Sequence, residues 1–180
     1  PSGISFSQFA YLLIGPHNSA ICPLKTADLE EKDLDWPITH YWVSCSHNSF
    51  LTGHQLYSQS TDNMYRRLLL LGVRSLEVDC WDGPRGEPVV THGHTLCTTI
   101  SFASVVAAIA ETAWTTSSCP VFLSLEMHCS PVQQAKIAHH LRHHLGDSLL
   151  LEADCGGSIH WHRYWLRMQN GTSSLVRLFI

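Results

Sequence analysis

The 180-residue sequence has no excess of basic residues, no closely spaced cysteine pair and no long apolar run. Its 11 Lys and Arg residues are outnumbered by 15 Asp and Glu residues, which gives a net charge of -4 with the 13 histidines neutral. This balance argues against a nucleic-acid-binding protein, which would carry a basic stripe. The longest apolar runs, in YLLIG, LLLLGV and SVVAAIA, are too short to cross a bilayer.

The cysteines do not form the pattern of a disulfide-rich scaffold. There are seven of them, an odd number, and no CxxC pair occurs. We therefore expect a reducing, cytoplasmic location, with most cysteines serving as small buried apolar side chains. Because the chain begins at Pro1 with neither an initiator Met nor a signal peptide, we also expect a fragment or a processed product.

Strand-like and helix-like segments alternate along the chain. The apolar patterns predict helices over residues 4–14, 60–72, 101–114 and 130–146, and strands over 40–46, 73–80, 88–92 and 120–128. This alternation, with about four strand–helix units, predicts an α/β fold built on a parallel sheet. After Leu151 the pattern fails, although Asn170-Gly171 suits the turn of a hairpin.

Polar side chains fall near the carboxyl ends of the predicted strands. Glu77 and Asp79 are two residues apart, so both point to the same face of their strand. The carboxyl ends of strands form the active-site face of α/β sheets and barrels. The residues that we expect to meet at this rim are His47, Asn48, Glu77, Asp79, His92 and Glu126.

Three carboxylates at one rim would repel one another unless a cation lay between them. The set of oxygen donors is the one that Ca²⁺ prefers, namely Asn48, Glu77, Asp79 and Glu126. Zinc would more often recruit histidines or cysteines, so His47 and His92 remain for proton transfer or phosphate contact. Acids, a hard cation and two imidazoles suit attack on a phosphate ester.

Each of these positions also has a simpler structural interpretation. His47 and His92 could be hydrogen-bonded loop histidines, and Asp79 could lead into the turn at Asp82-Gly83. Glu126 could be an acid at the entry to the following helix. The convergence of all of them on one rim favours the functional interpretation.

Four segments carry a resemblance to a known family. HYWVSCSHNSFLTGHQL, LGVRSLEVDCWDG, PVVTHGHTLCTTISF and PVFLSLEMHCSPVQQ resemble, in order, the X box of eukaryotic phosphoinositide-specific phospholipase C. The resemblance covers residues 35 to about 150 and implies the N-terminal half of a split TIM-type barrel. It further implies cleavage of phosphatidylinositol 4,5-bisphosphate to diacylglycerol and inositol 1,4,5-trisphosphate.

The resemblance also implies roles for the rim residues. Catalytic Ca²⁺ would be bound by Asn48, Glu77, Asp79 and Glu126. His47 would stabilise charge on the phosphate, and His92 would protonate the leaving diacylglycerol oxygen. The inositol 2-hydroxyl, deprotonated by Glu77 or Glu126, would attack phosphorus and form a cyclic phosphate that water then opens. The sequence does not decide between the two bases.

The resemblance divides the chain into four segments. Residues 1–26 are similar to the end of an EF-hand lobe with its linker, and residues 27–39 form an acidic connector. The X domain is expected over residues 40–150, and residues 151–180 form a divergent tail, either hairpin or unstructured. Neither the family's next strand nor its Y half is recognisable after Leu151.

These features leave more than one function open. The first is a calcium-dependent phospholipase C that acts on a phosphoinositide lipid at the membrane surface, peripherally associated, with a Y half as partner in the full-length chain. The alternative is a truncated, inactive X-half product that only binds lipid or a partner. A barrel phosphodiesterase acting on glycerophosphodiesters is a weaker possibility, against which the segment LEVDCWDG argues.

Helix 130–146 carries four histidines, at positions 139, 140, 143 and 144. Pairs of them are four residues apart and could hold a metal. The apolar stripe of this helix contains Ile137, Leu141 and Leu145, so a position on or beside the solvent face is the simpler interpretation.

Overall fold

The computed structural model describes residues 3–15, 38–150 and 176–179. The chain forms two compact units, Pro1–Trp36 and Pro37–Ile180. The first unit contains helix α1 (Phe6–Ile14), which begins at a capping box formed by Ser5 and Gln8. The predicted helix is confirmed, and its apolar side chains, among them Phe6 and Phe9, are exposed.

The second unit combines three helices with a mixed sheet. The helices are α2 (Asp62–Leu70), α3 (Phe102–Thr112) and α4 (Pro131–Leu145). The strands are β1 (Ser75–Trp81), β2 (Val89–Val90), β3 (Ile100–Ser101), β4 (Val121–His128), β5 (Leu149–Leu150) and β6 (Val176–Phe179). They form a six-stranded sheet in the order β3-β2-β1-β4-β6-β5.

The sheet is only partly parallel. β1 pairs parallel with β4, and β6 runs parallel to both β4 and β5. β2, however, is antiparallel to β1, with Cys80 opposite Val90 and Trp81 opposite Val89. The prediction of a parallel strand over residues 88–92 was therefore wrong. The short connection from β1 cannot hold the crossover that parallel pairing requires, so it closes a hairpin instead.

The predicted buried strand over residues 40–46 is also wrong. Residues 38–40 form a 3₁₀ turn. Within the segment only Cys45 forms a backbone β-bridge, to Ser75 at the start of β1. Trp42 is fully exposed at 103%, so this apolar segment does not enter the core. It still runs beside β1, because the Ser46 amide donates to the Ser75 carbonyl at 2.9 Å.

Local signals at the helix ends account for their lengths. Thr61 caps α2, and Gly72 takes a positive φ of 89° after it, which closes a Schellman motif. Ser101 caps α3, accepting from the Ser104 amide at 3.0 Å. Ser130 is the N-cap residue of α4 but makes no side-chain capping bond; its hydroxyl instead donates to Asp82 Oδ1 at 3.0 Å and ties the helix start to the β1–β2 turn.

The two faces of the sheet differ in chemistry. On one face, alternate residues of β1 and β4 enter the apolar core with the three helices; they are Leu76, Val78, Cys80, Val121, Leu123 and Leu125. The other face carries the intervening residues, including the acids of both strands and Ser124 and His128. The core therefore fixes the direction in which the polar side chains project.

Some sequence predictions fall outside the described residues. These are most of the acidic connector over 27–39, most of the tail over 151–180 and the hairpin turn at Asn170-Gly171. The predicted segment boundaries stay predictions. Across the three described ranges, no helix combines the length and apolarity needed to cross a bilayer.

Arg74 gives a test of the packing that holds β1. Its buried guanidinium donates to the carbonyls of Ala113 (2.6 Å), Pro120 (3.3 Å) and Cys119, in the connection between α3 and β4. Arg74→Met would leave these carbonyls without their charged donor, so we expect a loss of about 2–4 kcal/mol of unfolding free energy. Denaturant unfolding measures it, with the exposed Arg67→Met on α2 as the control; equal losses in both variants would contradict the assignment.

Candidate active site and metal centre

Strand register brings the three predicted acids together. Glu77 and Asp79 lie two apart on β1, and Asp79 stands opposite Glu126 of β4 in the parallel pairing. One carboxylate oxygen from each of the three residues lies within 4.8 Å of the other two. The sequence indicated that Glu77 lies near the carboxyl end of its strand. In the structure β1 extends to Trp81, so Glu77 lies in the middle of the strand.

The loop that follows the β-bridge at Cys45 brings two more predicted residues to the acids. The Asn48 backbone amide donates to Glu77 Oε2 at 2.6 Å, and His47 Nε2 lies 3.8 Å from the same oxygen. Asn48 takes a φ of 46°, a left-handed conformation that Asn tolerates better than most residues. Ser49 fixes the loop, because its hydroxyl accepts from the Glu77 amide at 3.0 Å.

Gln55 joins the two predicted catalytic histidines. Its side-chain amide lies 3.2 Å from His47 Nδ1, and its carbonyl lies 2.6 Å from His92 Nδ1. A carbonyl only accepts, so His92 carries a proton on Nδ1 and leaves Nε2 to exchange one. The Gln55 amide nitrogen only donates, so neutral His47 carries its proton on Nε2, toward Glu77.

His92 reaches the site by a route that the sequence did not predict. It was placed at the carboxyl end of a parallel strand, but β2 is antiparallel to β1. β2 pairs only with the last two residues of β1, and the Thr91 amide then donates to the Asp79 carbonyl at 3.3 Å. His92 consequently lies close enough to Asp79 to lower the pKa of that carboxyl.

Asp79 is the most constrained of the three acids. Its pKa is raised to about 6, first by burial and then by the neighbouring Glu126 and Glu77, while His92 and His128 lower it. Only 2% of the residue is exposed, and its Oδ1 is buried without a hydrogen-bond partner. A buried carboxylate oxygen that lacks a donor and faces two other acids is suited to a cation.

The donor set fits a hard divalent ion. Three carboxylates supply oxygen ligands, and the backbone amide of Asn48 lies beside them, at Glu77. Oxygen-only sets of this kind are typical of Ca²⁺ sites. The residues that we assign to the candidate metal site are thus Glu77, Asp79 and Glu126, and the fourth ligand expected from the sequence, Asn48, stays a prediction.

Sequence reasoning missed three residues of the site. His128 Nε2 lies 3.1 Å from Glu126 Oε1, and its ring stacks on Trp81 at 4.1 Å. Tyr65 is fully buried beneath the site and donates its hydroxyl to the Glu77 carbonyl at 2.8 Å. Gln55 is the third. His128 could have been found, since it is two residues after Glu126 on the same strand face.

The chain was compared with known proteins and structures. Residues 34–162 match the family described as phosphatidylinositol-specific phospholipase C, X domain. The chain is 47% identical over 159 residues to the 1-phosphatidylinositol 4,5-bisphosphate phosphodiesterase epsilon-1 of Caenorhabditis elegans, covering 86% of this chain and 8% of that protein. It is 46% identical over 143 residues to the gamma-2 enzyme of that name from Homo sapiens, covering 79% and 11%.

A solved structure is also similar. The crystal structure of PLC21 from S. officinalis superimposes with a TM-score of 0.68 and 42% identity, covering 79% of this chain and 18% of that one. The chain thus spans about a tenth of the length of the curated relatives that it matches.

The raised pKa of Asp79 gives a prediction about stability. An acid whose folded pKa is raised from 3.8 to about 6 destabilises the fold as the pH rises through that window. We therefore expect Asp79→Asn to raise the metal-free unfolding free energy by about 1–3 kcal/mol at pH 7, with no such gain at pH 4.

Thermal unfolding in a calcium chelator between pH 4 and pH 8 measures this difference. Asp147→Asn, at an exposed position, is the matched control and should leave the curve unchanged. Added Ca²⁺ should then stabilise the unaltered chain and the control but not Asp79→Asn. A metal-free gain that is the same at every pH would contradict the electrostatic explanation.

Proposed function

Because the chain belongs to the family of phosphatidylinositol-specific phospholipase C X domains, we propose that its acidic rim is the catalytic half-site of a calcium-dependent phosphoinositide phospholipase C. The observation that carries the proposal is the meeting of three carboxylates with two imidazoles linked through Gln55. The relatives are named for phosphatidylinositol 4,5-bisphosphate, which we propose as the substrate. The products would be diacylglycerol and inositol 1,4,5-trisphosphate.

The chain's own groups suit the two proton transfers of this reaction. His92, whose Nδ1 is held by the Gln55 carbonyl, offers Nε2 as the acid that protonates the leaving diacylglycerol oxygen. His47 directs its Nε2 proton toward the rim, where it would stabilise negative charge on the phosphate. The attack of the inositol 2-hydroxyl would give a cyclic phosphate, which water then opens.

Either Glu77 or Glu126 would take the proton of the 2-hydroxyl. Glu77 is 22% exposed and already accepts from the Asn48 amide, whereas Glu126 is 55% exposed and faces His128. Ca²⁺ bound by Asn48, Glu77, Asp79 and Glu126 would supply neutralisation of the phosphate charge and acidify the attacking hydroxyl. Glu77→Gln and Glu126→Gln, compared at saturating Ca²⁺, would distinguish the two bases.

A second half is part of this proposal. The polar face of β4 is open to water at Ser124, Glu126 and His128, so the rim lacks a cover on that side within the described residues. We propose that this sheet is part of a TIM-type barrel that a Y half completes. The X half alone would then bind Ca²⁺ but turn over little or no lipid.

Exposed apolar side chains beside the histidines support a lipid surface as the working environment. Leu56 is 57% exposed and Leu96 is 85% exposed, and the Leu96 amide donates to the Leu56 carbonyl at 2.9 Å. The two loops that they occupy also hold Gln55 and His92. We propose that these loops touch the bilayer from the cytoplasmic side while the headgroup enters the rim.

A chimera tests the catalytic proposal. Residues 34–162 would replace the matched segment of the Caenorhabditis elegans relative, which supplies the remaining domains. We expect Ca²⁺-dependent hydrolysis of phosphatidylinositol 4,5-bisphosphate, and His92→Ala should reduce the rate by roughly 10²–10⁴-fold because it removes the general acid. The control is His139→Ala, at an exposed position on α4.

The outcomes of that assay separate the candidate functions. A chimera that folds and binds lipid but is inactive would contradict the proposed phospholipase activity and favour the inactive binding module. Steady hydrolysis by the unmodified 180-residue chain would refute the requirement for a second half.

The lipid-surface proposal has its own test in the same chimera. Leu56→Ser with Leu96→Ser should lower hydrolysis of vesicle-borne lipid, because less apolar surface would enter the bilayer. Hydrolysis of a water-soluble glycerophosphoinositol phosphate should stay unchanged. An equal fall with both substrates would show that the two leucines only support the site. Leu71→Ser, exposed at the end of α2, is the control.

A further inference from the structure

A second group of metal-ligating side chains lies on α4. His139 and His143 stack with ring centroids 6.0 Å apart, and His140 and His144 stack at 6.4 Å. In each pair the residues are four apart and lie one turn above each other on one helix face. Two histidines at this spacing can hold one divalent metal ion, as they do in zinc sites built on a helix.

The two pairs differ in their surroundings. His139 and His143 are exposed, whereas His140 and His144 are half-buried on the side of α4 nearer the core. His140 Nε2 lies 3.5 Å from Glu87 Oε2, in the turn between β1 and β2. Only the half-buried pair therefore has a carboxylate from another element beside it among the contacts of the described residues.

The half-buried pair and the neighbouring Glu87 together offer two nitrogen ligands and one oxygen ligand. Two imidazoles with one carboxylate form a known zinc ligand set.

We propose that His140, His144 and Glu87 form a binding site for a divalent transition metal of the zinc class. The ion would connect α4 to the β1–β2 turn, which α4 already holds through Gln133 and its two bonds to Gly83 (3.0 and 3.2 Å). Glu87 also pairs with Lys136, so binding exchanges that ion pair for a metal bond. The three side chains must change rotamer to bring their ligand atoms together, because among the described residues the group with ligand atoms already within 4.8 Å of one another is that of Glu77, Asp79 and Glu126.

This site differs from the acidic rim in its donor chemistry. The rim offers only oxygen atoms to an ion, and such sets select hard cations such as Ca²⁺. The α4 site offers two imidazole nitrogens, which favour zinc, nickel or copper over calcium. The two sites should therefore fill independently, each with its own class of ion, and the proposal does not depend on the phospholipase activity.

The experiment is a Zn²⁺ titration of the full 180-residue chain, made without a histidine tag, in excess Ca²⁺ with a competing chromophoric chelator. The test variant is His140→Ala with His144→Ala, and the matched control on the same helix is His139→Ala with His143→Ala. We expect the test variant to lose at least about tenfold in zinc affinity, since even outer partners of a metal site contribute that much. The control variant should retain the affinity of the unaltered chain.

Further readouts keep the proposal falsifiable. Glu87→Gln, which alters no histidine, should weaken zinc binding. Co²⁺ bound to the unaltered chain should give the absorption of a nitrogen–oxygen site, and the test variant should lack this absorption. If the double variant fails to fold by circular dichroism, the single His144→Gln is titrated in its place with the same expectation. Equal affinity in test and control, or a loss confined to the control, would overturn the assignment.

Discussion

The candidate site depends on one interaction, the parallel pairing of β1 with β4 in the register that sets Asp79 opposite Glu126. A slip of one residue would turn Glu126 into the core and Leu125 to the rim. The apolar side chains of the opposite face prevent this, since each fully buried one contributes about 1.5–3 kcal/mol. Two ionised carboxylates whose nearest oxygens lie within 4.8 Å of each other repel by roughly 3 kcal/mol or more near a surface, so several buried residues are needed to outweigh the repulsion.

The repulsion is not shared equally among the acids. Glu126 is more than half exposed and faces His128, and Glu77 accepts from the Asn48 amide, so water or donors compensate both. Asp79 is buried between them with an oxygen that lacks a donor, and its pKa is raised to about 6. The fold therefore holds one acid in an unfavourable environment. A bound cation would relieve this, and the relief would add to the binding free energy of the cation.

The sequence predicts the meeting of the three acids better than it predicts the sheet. Long periodic segments and the two-residue spacing of Glu77 and Asp79 were sufficient to place the acids. The direction of β2 was wrong because strand–helix alternation fails where a short turn replaces the helix. Gln55 carried no local signal, because its role arises only where two loops meet.

The histidines on the two faces of the sheet differ in what their ring nitrogens contact. At the rim each imidazole already has a partner that fixes its ring: Gln55 for His47 and His92, and Glu126 for His128. A ring fixed in this way presents one nitrogen in a defined protonation state, which suits proton transfer. On α4 the rings mainly stack on one another, with Glu87 beside His140. These are the rings that we propose for a metal, so the thirteen histidines of the chain need not share one function.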